Sequence, residues 1–163
     1  MANRPWNKLI CDTLTSVRKN EDQYEQTSFT IDDSIEQTKY VLLYFSAHWC
    51  GPCRQFTPVL NQWYQMVNEN KKEIEIIYVS SDQDLDEYLE YAATMSWKCV
   101  PYGDVDSQNV CNRLKTMCQV KGIPRLVVFN TETKEVVTDD GRNDITNCMG
   151  PPSDVLKIWD SYE

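Results

Sequence analysis

No apolar run in this chain of 163 residues approaches the roughly 20 needed to cross a bilayer, so no membrane partner is expected. The opening Met1-Ala2-Asn3-Arg4-Pro5-Trp6 has no hydrophobic segment of the kind a secretory signal carries, and there is no Asn-x-Ser/Thr sequon. Basic residues are in the minority, with 16 Lys and Arg against 25 Asp and Glu. The resulting net charge of −9 argues against a nucleic-acid binder, which needs a basic face. Histidine is almost missing: His48 stands alone, and no second closely spaced cysteine pair exists. A zinc site drawing about four ligands from such pairs is therefore not expected, and no metal or other cofactor is implied. Framework spacing is lacking too. The seven cysteines are odd in number, so most read as free thiols in a reducing compartment. The cytoplasm is the expected location, with nucleus and organelle open.

What is present is an ordinary globular composition, 41% hydrophobic and 25% charged, long enough for one domain over 1–163. Within it lies Trp49-Cys50-Gly51-Pro52-Cys53, two thiols three residues apart. The preceding Val41-Leu42-Leu43-Tyr44-Phe45-Ser46 is a β-prone apolar run, and Arg54 to Asn68 reads as a helix. The pair is thus expected where a strand ends and a helix begins. There, unpaired N–H groups and the helix dipole favour a thiolate. Lowering a thiol pKa from ~8.5 to ~7 takes roughly 2 kcal/mol. A dipole supplies about 0.3–1 kcal/mol, so direct N–H or S–H hydrogen bonds must supply the rest.

Residues i and i+3 at a helix start are about 5–6 Å apart, inside the ~4.4–6.8 Å that a disulfide spans. Cys50 at the exposed tip is the expected attacking thiolate, and Cys53, one turn inside, the resolving thiol. Pro52 suits a first helical turn, where its missing N–H costs nothing. A purely structural disulfide is a poor alternative, because so short a loop hardly restricts the unfolded chain.

Elsewhere the elements alternate. Residues 1–23 read as a polar N-terminal extension with a helix around Leu9 to Val17, ahead of a core spanning about 24–162. A short edge strand is expected in Tyr24–Ile31, a helix over Cys53–Asn68 and a second buried strand over Glu73–Ser80. Leu85, Tyr88, Leu89 and Ala92 mark one further helix, and Val110, Leu114 and Met117 another. Arg125–Asn130 and Glu135–Thr138 read as a hairpin, and Val155, Ile158 and Trp159 as the stripe of a last helix. The pattern predicts an α/β sandwich.

Phe45-Ser46-Ala47-His48-Trp49-Cys50-Gly51-Pro52-Cys53-Arg54, Pro58 and Gly122-Ile123-Pro124 resemble the thioredoxin superfamily. Tyr44-Phe45-Ser46-Ala47, Phe56-Thr57-Pro58, Val79-Ser80-Ser81-Asp82 and Met95 to Tyr102 resemble its tryparedoxin and nucleoredoxin branch. The resemblance implies a three-layer sandwich with a central mixed β-sheet flanked by helices, and a cis bond before Pro124. It implies that Ile123 offers its backbone to an extended substrate, which Trp49, Gly51, Pro52 and Pro124 help to orient. It implies a monomeric reductase of protein disulfides, with peroxidases as candidate recipients and a reductase or low-molecular-weight thiol as electron donor. The alternative is an adaptor that binds partners in a redox-dependent way without turnover.

Three positions depart from the wider pattern. Tyr44 stands where thioredoxins carry a buried aspartate as proton relay. Gly51-Pro52 is the thioredoxin pair set in a branch that usually has two prolines. Arg125 replaces the common threonine, placing a cation beside the substrate groove to meet acidic groups of a substrate or low-molecular-weight thiol; a solvated arginine at a strand start is the alternative. His48 is expected as an exposed spacer. Cys99, Cys111, Cys118 and Cys148 are expected to be inert, with Cys99 the more exposed.

Overall fold

The computed structural model describes residues 4–162, so residues 1–3 of the expected extension lie outside it, as does Glu163. The elements are α1 (Trp6–Leu9), β1 (Thr13–Asn20), β2 (Gln23–Thr30), α2 (Ile31–Ile35), β3 (Tyr40–Ser46), α3 (Gly51–Val67) and β4 (Ile74–Ser80). There follow α4 (Leu85–Ala92), β5 (Lys98–Cys99), α5 (Val105–Met117), β6 (Arg125–Asn130), β7 (Val136–Thr138), α6 (Gly141–Thr146) and α7 (Asp154–Ser161). The strands form one seven-stranded sheet in the order β2-β1-β5-β4-β3-β6-β7. β3 runs parallel to β4 and antiparallel to β6, so the sheet is mixed.

Strand periodicity makes the layers. Along β3 every residue is buried, with Tyr40, Leu42 and Tyr44 on one face and Val41, Leu43 and Phe45 on the other. The first face packs against Phe56, Leu60 and Trp63 of α3, Tyr88 of α4 and Trp159 of α7. The second packs against Trp6 and Leu9 of α1, Ile31 of α2 and Leu114 of α5. This is the thioredoxin-like sandwich with helices on both sides of a mixed sheet.

Two expectations are corrected. Leu9 to Val17 is mostly strand: the spacing of Leu9, Ile10, Leu14 and Val17 imitates a helix stripe. In fact Leu14 and Val17 point to opposite faces of β1, where Thr13, Thr15 and Val17 add β-branched preference. Residues 6–20 are accordingly part of the core instead of an extension ahead of it, with Trp6, Leu9, Ile10 and Leu14 all buried. Cys99 is likewise fully buried, because the loop expected there contains β5, wedged between β1 and β4.

Candidate active site

β3 ends at Ser46, and four residues later Cys50 caps α3. Cys50 has extended backbone, and its Sγ accepts from the N–H of Cys53 at 3.3 Å. Cys50 and Cys53 are joined as a disulfide with Cα atoms 5.2 Å apart. Cys53 has no exposed surface, whereas Cys50 keeps 6%. The helix begins one turn earlier than the Arg54 start read from the sequence and continues through Pro58. Gly51 and Pro52 form its first turn, and Cys50 receives an unpaired N–H of that turn.

Facing the pair from the loop just before β6, the Ile123–Pro124 peptide is cis, and the carbonyl oxygen of Ile123 lies 3.8 Å from Cys50 Sγ. Pro124 is buried and Ile123 half-buried. Trp49 stands beside the cysteines with 49% of its surface exposed, its indole N–H held by the carbonyl of Ser81 at 2.9 Å. Arg125 is half-buried and donates through Nη1 to the Asp139 carbonyl at 3.3 Å. With Pro124, Asp139, Asp140 and Arg142 it lines an open cavity of about 410 Å³. Trp49, Gly51, Pro52, Ile123 and Pro124 are thus gathered around Cys50, while Arg125 lies at the start of β6, on the rim.

Sequence reasoning missed the anchor of this arrangement. Asp82 was readable as the acidic lead-in to α4, yet its carboxylate is buried and serves the loop before Cys50. It accepts from the backbone N–H of His48 at 2.6 Å, from Tyr78 at 2.5 Å and from Ser80 at 2.6 Å. Burial, together with that carboxylate, pushes the Tyr78 phenol well up from its usual range. The signal was the Ser80-Ser81-Asp82 string at a strand end, where short polar side chains tie loops together.

Tyr44 fills the place of the expected aspartate. Its hydroxyl is 2.8 Å from Thr57 Oγ1 and 3.4 Å from the Cys53 carbonyl, beneath α3. Four other thiols are held protonated by burial: Cys11 is pushed up to about 11, Cys118 up to about 12, and Cys99 and Cys111 also rise. A thiol titrating near 11 is only about one part in 10⁴ thiolate at neutral pH. After reduction, brief iodoacetamide treatment at neutral pH is expected to label Cys50 at least about tenfold faster than these four, with their labelling growing as pH rises. Peptide mapping by mass spectrometry reads the order.

Gly51 has open space where a Cβ would stand. Cys50 before it has φ −90° and ψ 113°, the extended region a following proline demands. Gly51→Pro at the first helical position should therefore fold and raise Tm by about 1–4 °C through a stiffer unfolded chain. Calorimetry showing a fall of several degrees would mean that the Gly51 N–H carries a bond this account omits.

A cis-proline facing a cysteine pair at a helix start, on a mixed sheet covered by helices, defines a thioredoxin-fold redox site. The thioredoxin-like family model matches residues 37–136. Bovine nucleoredoxin is 35% identical over 164 aligned residues, covering 97% of this chain and 35% of that protein. Tryparedoxin of Trypanosoma brucei brucei is 34% identical over 104 residues, covering 64% of this chain and 69% of that one. A tryparedoxin II solved in complex with glutathionylspermidine superposes with a TM-score of 0.67 at 28% identity, covering 83% of this chain and 85% of that one. The chain belongs to the thioredoxin-like family of oxidoreductases, in its tryparedoxin and nucleoredoxin branch. It spans about a third of the length of the nucleoredoxin it matches.

Proposed function

We propose that the chain is a dithiol–disulfide reductase of protein substrates, with Cys50 as nucleophile and Cys53 as resolving thiol. The observation that carries this is the asymmetry of the pair. Cys50 lies at the surface edge, receives the Cys53 N–H and faces the Ile123 carbonyl, whereas Cys53 is wholly enclosed. A substrate segment laid along Ile123 in extended form would bring its sulfur to Cys50. Cys50 thiolate attacks it, a mixed disulfide forms, and Cys53 closes the internal disulfide and releases the reduced partner. Peroxidases are candidate recipients of the electrons, and the cytoplasm is the proposed setting.

The test is reduction of insulin disulfides with dithiothreitol as electron source. Wild-type protein should accelerate it, and a wild type no faster than Cys50→Ser would sink the reading. Partner capture persisting in that variant would point to the adaptor instead.

The electron donor is proposed to be a low-molecular-weight thiol such as glutathione, its carboxylates met by Arg125 at the rim cavity. A solved tryparedoxin II binds a thiol of this kind, glutathionylspermidine, which supports the reading. Arg125→Glu should raise the half-saturating glutathione concentration about fivefold or more, a cost of roughly 1 kcal/mol. Turnover unchanged with every tested reductant would end that assignment.

A further inference from the structure

The end of the sheet that carries the cysteines carries a second feature. β3 runs parallel to β4 and β4 to β5, so whatever follows each strand lies at one end of the sheet. Cys50 follows β3, the start of α4 follows β4, and the start of α5 follows β5. Open α/β sheets bind their ligands at this carboxyl end. Against the start of α5 lies an open cavity of about 470 Å³, with Ser81, Asp82, Tyr102, Asp104 and Val105 in its walls. It adjoins the redox site through Ser81, whose carbonyl accepts the Trp49 indole N–H. Tyr102 links it to α4: its hydroxyl donates to the Asp82 carbonyl at 3.2 Å, and its ring stacks on Tyr88 with centroids 4.9 Å apart. Val105, the first residue of α5, is 74% exposed and adds almost nothing to the core. Leu85, the first residue of α4, is exposed too.

Charge marks the same face. From Asp82 to Trp97 the chain has five acidic and no basic residues, and from Pro101 to Cys111 two acidic and none basic. Asp84 and Asp104 have a structural use, capping α4 and α5 by accepting the N–H of Glu87 at 2.8 Å and of Ser107 at 2.7 Å. Asp86, Glu87 and Asp106 add to them in the first turns. Each helix start offers about half a positive charge, so roughly four units of these five carboxylates stay uncompensated. Among the described residues none of the five is in an ion pair. Lys115 also lines the cavity, but it lies three turns along α5 from Asp104, about 16 Å down the axis. Burial, and then the carboxylates of Asp82, Asp84 and Glu87, raise the Tyr102 phenol, so the negative field of the α4 start reaches the cavity. The sheet order sets β4 and β5 on one side of β3 and β6, with Arg125, on the other. The acidic face and the Arg125 rim therefore flank Cys50 from opposite sides.

We propose, on the reading of the chain as a protein-disulfide reductase, that this acidic face docks the protein substrate. Its partner is a disulfide protein with a basic surface segment beside the disulfide, and an apolar side chain of that segment enters the cavity next to Val105. An apolar centre within a charged rim is the anatomy of a protein–protein contact. Lysines or arginines of the partner supply the missing countercharge and steer its approach. The footprint runs from the Ile123 groove across Trp49, which is half exposed, to the start of α5, and leaves the Arg125 rim to the small thiol.

The test uses peptides that carry one cysteine and are oxidised to their disulfide-linked dimers. The cysteine is flanked by lysine and leucine in one and by glutamate and leucine in another. Dithiothreitol, which is uncharged, supplies the electrons, and the released peptide thiols are counted by chromatography after the uncatalysed rate is subtracted. In ~20 mM salt the wild type should favour the lysine peptide about tenfold or more in kcat/KM, and ~0.5 M salt should remove most of that ratio. Asp86→Asn combined with Asp106→Asn leaves both helix caps in place and should cut the ratio about threefold. Glu132→Gln combined with Glu135→Gln removes the same charge at the far end of β6 and should leave the ratio intact. Val105→Ser should erase the advantage of the lysine–leucine peptide over a lysine–alanine one. A ratio unmoved by the first pair, or lowered equally by both pairs, overturns the docking face. An undiminished leucine advantage in Val105→Ser overturns the cavity as its anchor. Wild-type protein that turns over neither peptide nor insulin would instead refute the reductase reading itself.

Discussion

Cys50→Ser reduces insulin no faster than dithiothreitol alone, a loss on the order of 10³-fold or more, as expected when the nucleophile facing the substrate groove is removed. The expectation follows from burial and electrostatics together. A serine hydroxyl in the N-cap position keeps the hydrogen bond from the Cys53 N–H, so α3 still starts where it does. The fold should survive, with far-ultraviolet dichroism unchanged. What is lost is the sulfur at the surface edge of the pair, where the Cys53 N–H and the start of α3 favour a thiolate. Cys53 cannot substitute, since it has no exposed surface. Four of the remaining thiols cannot either, since burial keeps Cys11, Cys99, Cys111 and Cys118 protonated, and Cys148 lies in the α6–α7 loop with its thiol donating to the Gly150 and Pro151 carbonyls. Comparable turnover in the variant would mean that one of these thiols, away from the Ile123–Pro124 groove, carries the reaction.

The second large effect belongs to Asp82. Truncation to alanine leaves the His48 N–H and the Ser80 hydroxyl without their shared acceptor, while Tyr78 retains a 3.3 Å contact to the Ser46 carbonyl. Each buried donor left unmade costs about 1–3 kcal/mol, so Asp82→Ala should lose roughly 2–4 kcal/mol. In a chain of this size that is a fall in Tm of about 5–12 °C. The loop from Ala47 to Trp49 loses its anchor to the end of β4, so the reduction rate should drop about tenfold as well, as expected when a reacting group is misplaced. Asp82→Asn keeps a carbonyl oxygen for His48 and should recover most of both losses. A melting curve within about 1 °C of wild type for Asp82→Ala would show that the loop is held without Asp82, by bonds such as Trp49–Ser81 and Ser81–Ser46.

How much of this was legible depends on how strongly each residue signals its neighbours. β3 and β4 were readable as dense apolar, β-prone runs, broken before their terminal serines only by Glu75 in β4, because a strand covered on both faces shows little alternation. The cysteine spacing carried the redox pair, and Gly122-Ile123-Pro124 carried the cis bond. β1 was misread because Leu14 and Val17 face opposite sides of the sheet, which destroys the period-two signal. Cys99 was misplaced because a two-residue strand leaves no pattern; its burial comes from β1 and β4 closing over it. Asp82 and the hydrogen-bonded Tyr44–Thr57–Tyr91 hydroxyls join residues up to 47 positions apart in sequence, from Tyr44 to Tyr91. Such contacts exist only once the sheet order is set, and no local spacing announces them.

The central claim is that the two thiols have fixed and unequal roles, and it is read most directly from trapped intermediates. Cys53→Ser and Cys50→Ser, each mixed with oxidised insulin and analysed by non-reducing peptide mapping, should give opposite results. The first should accumulate a covalent adduct through Cys50, and the second should accumulate none. Equal trapping through Cys53 in the Cys50→Ser protein would contradict the account.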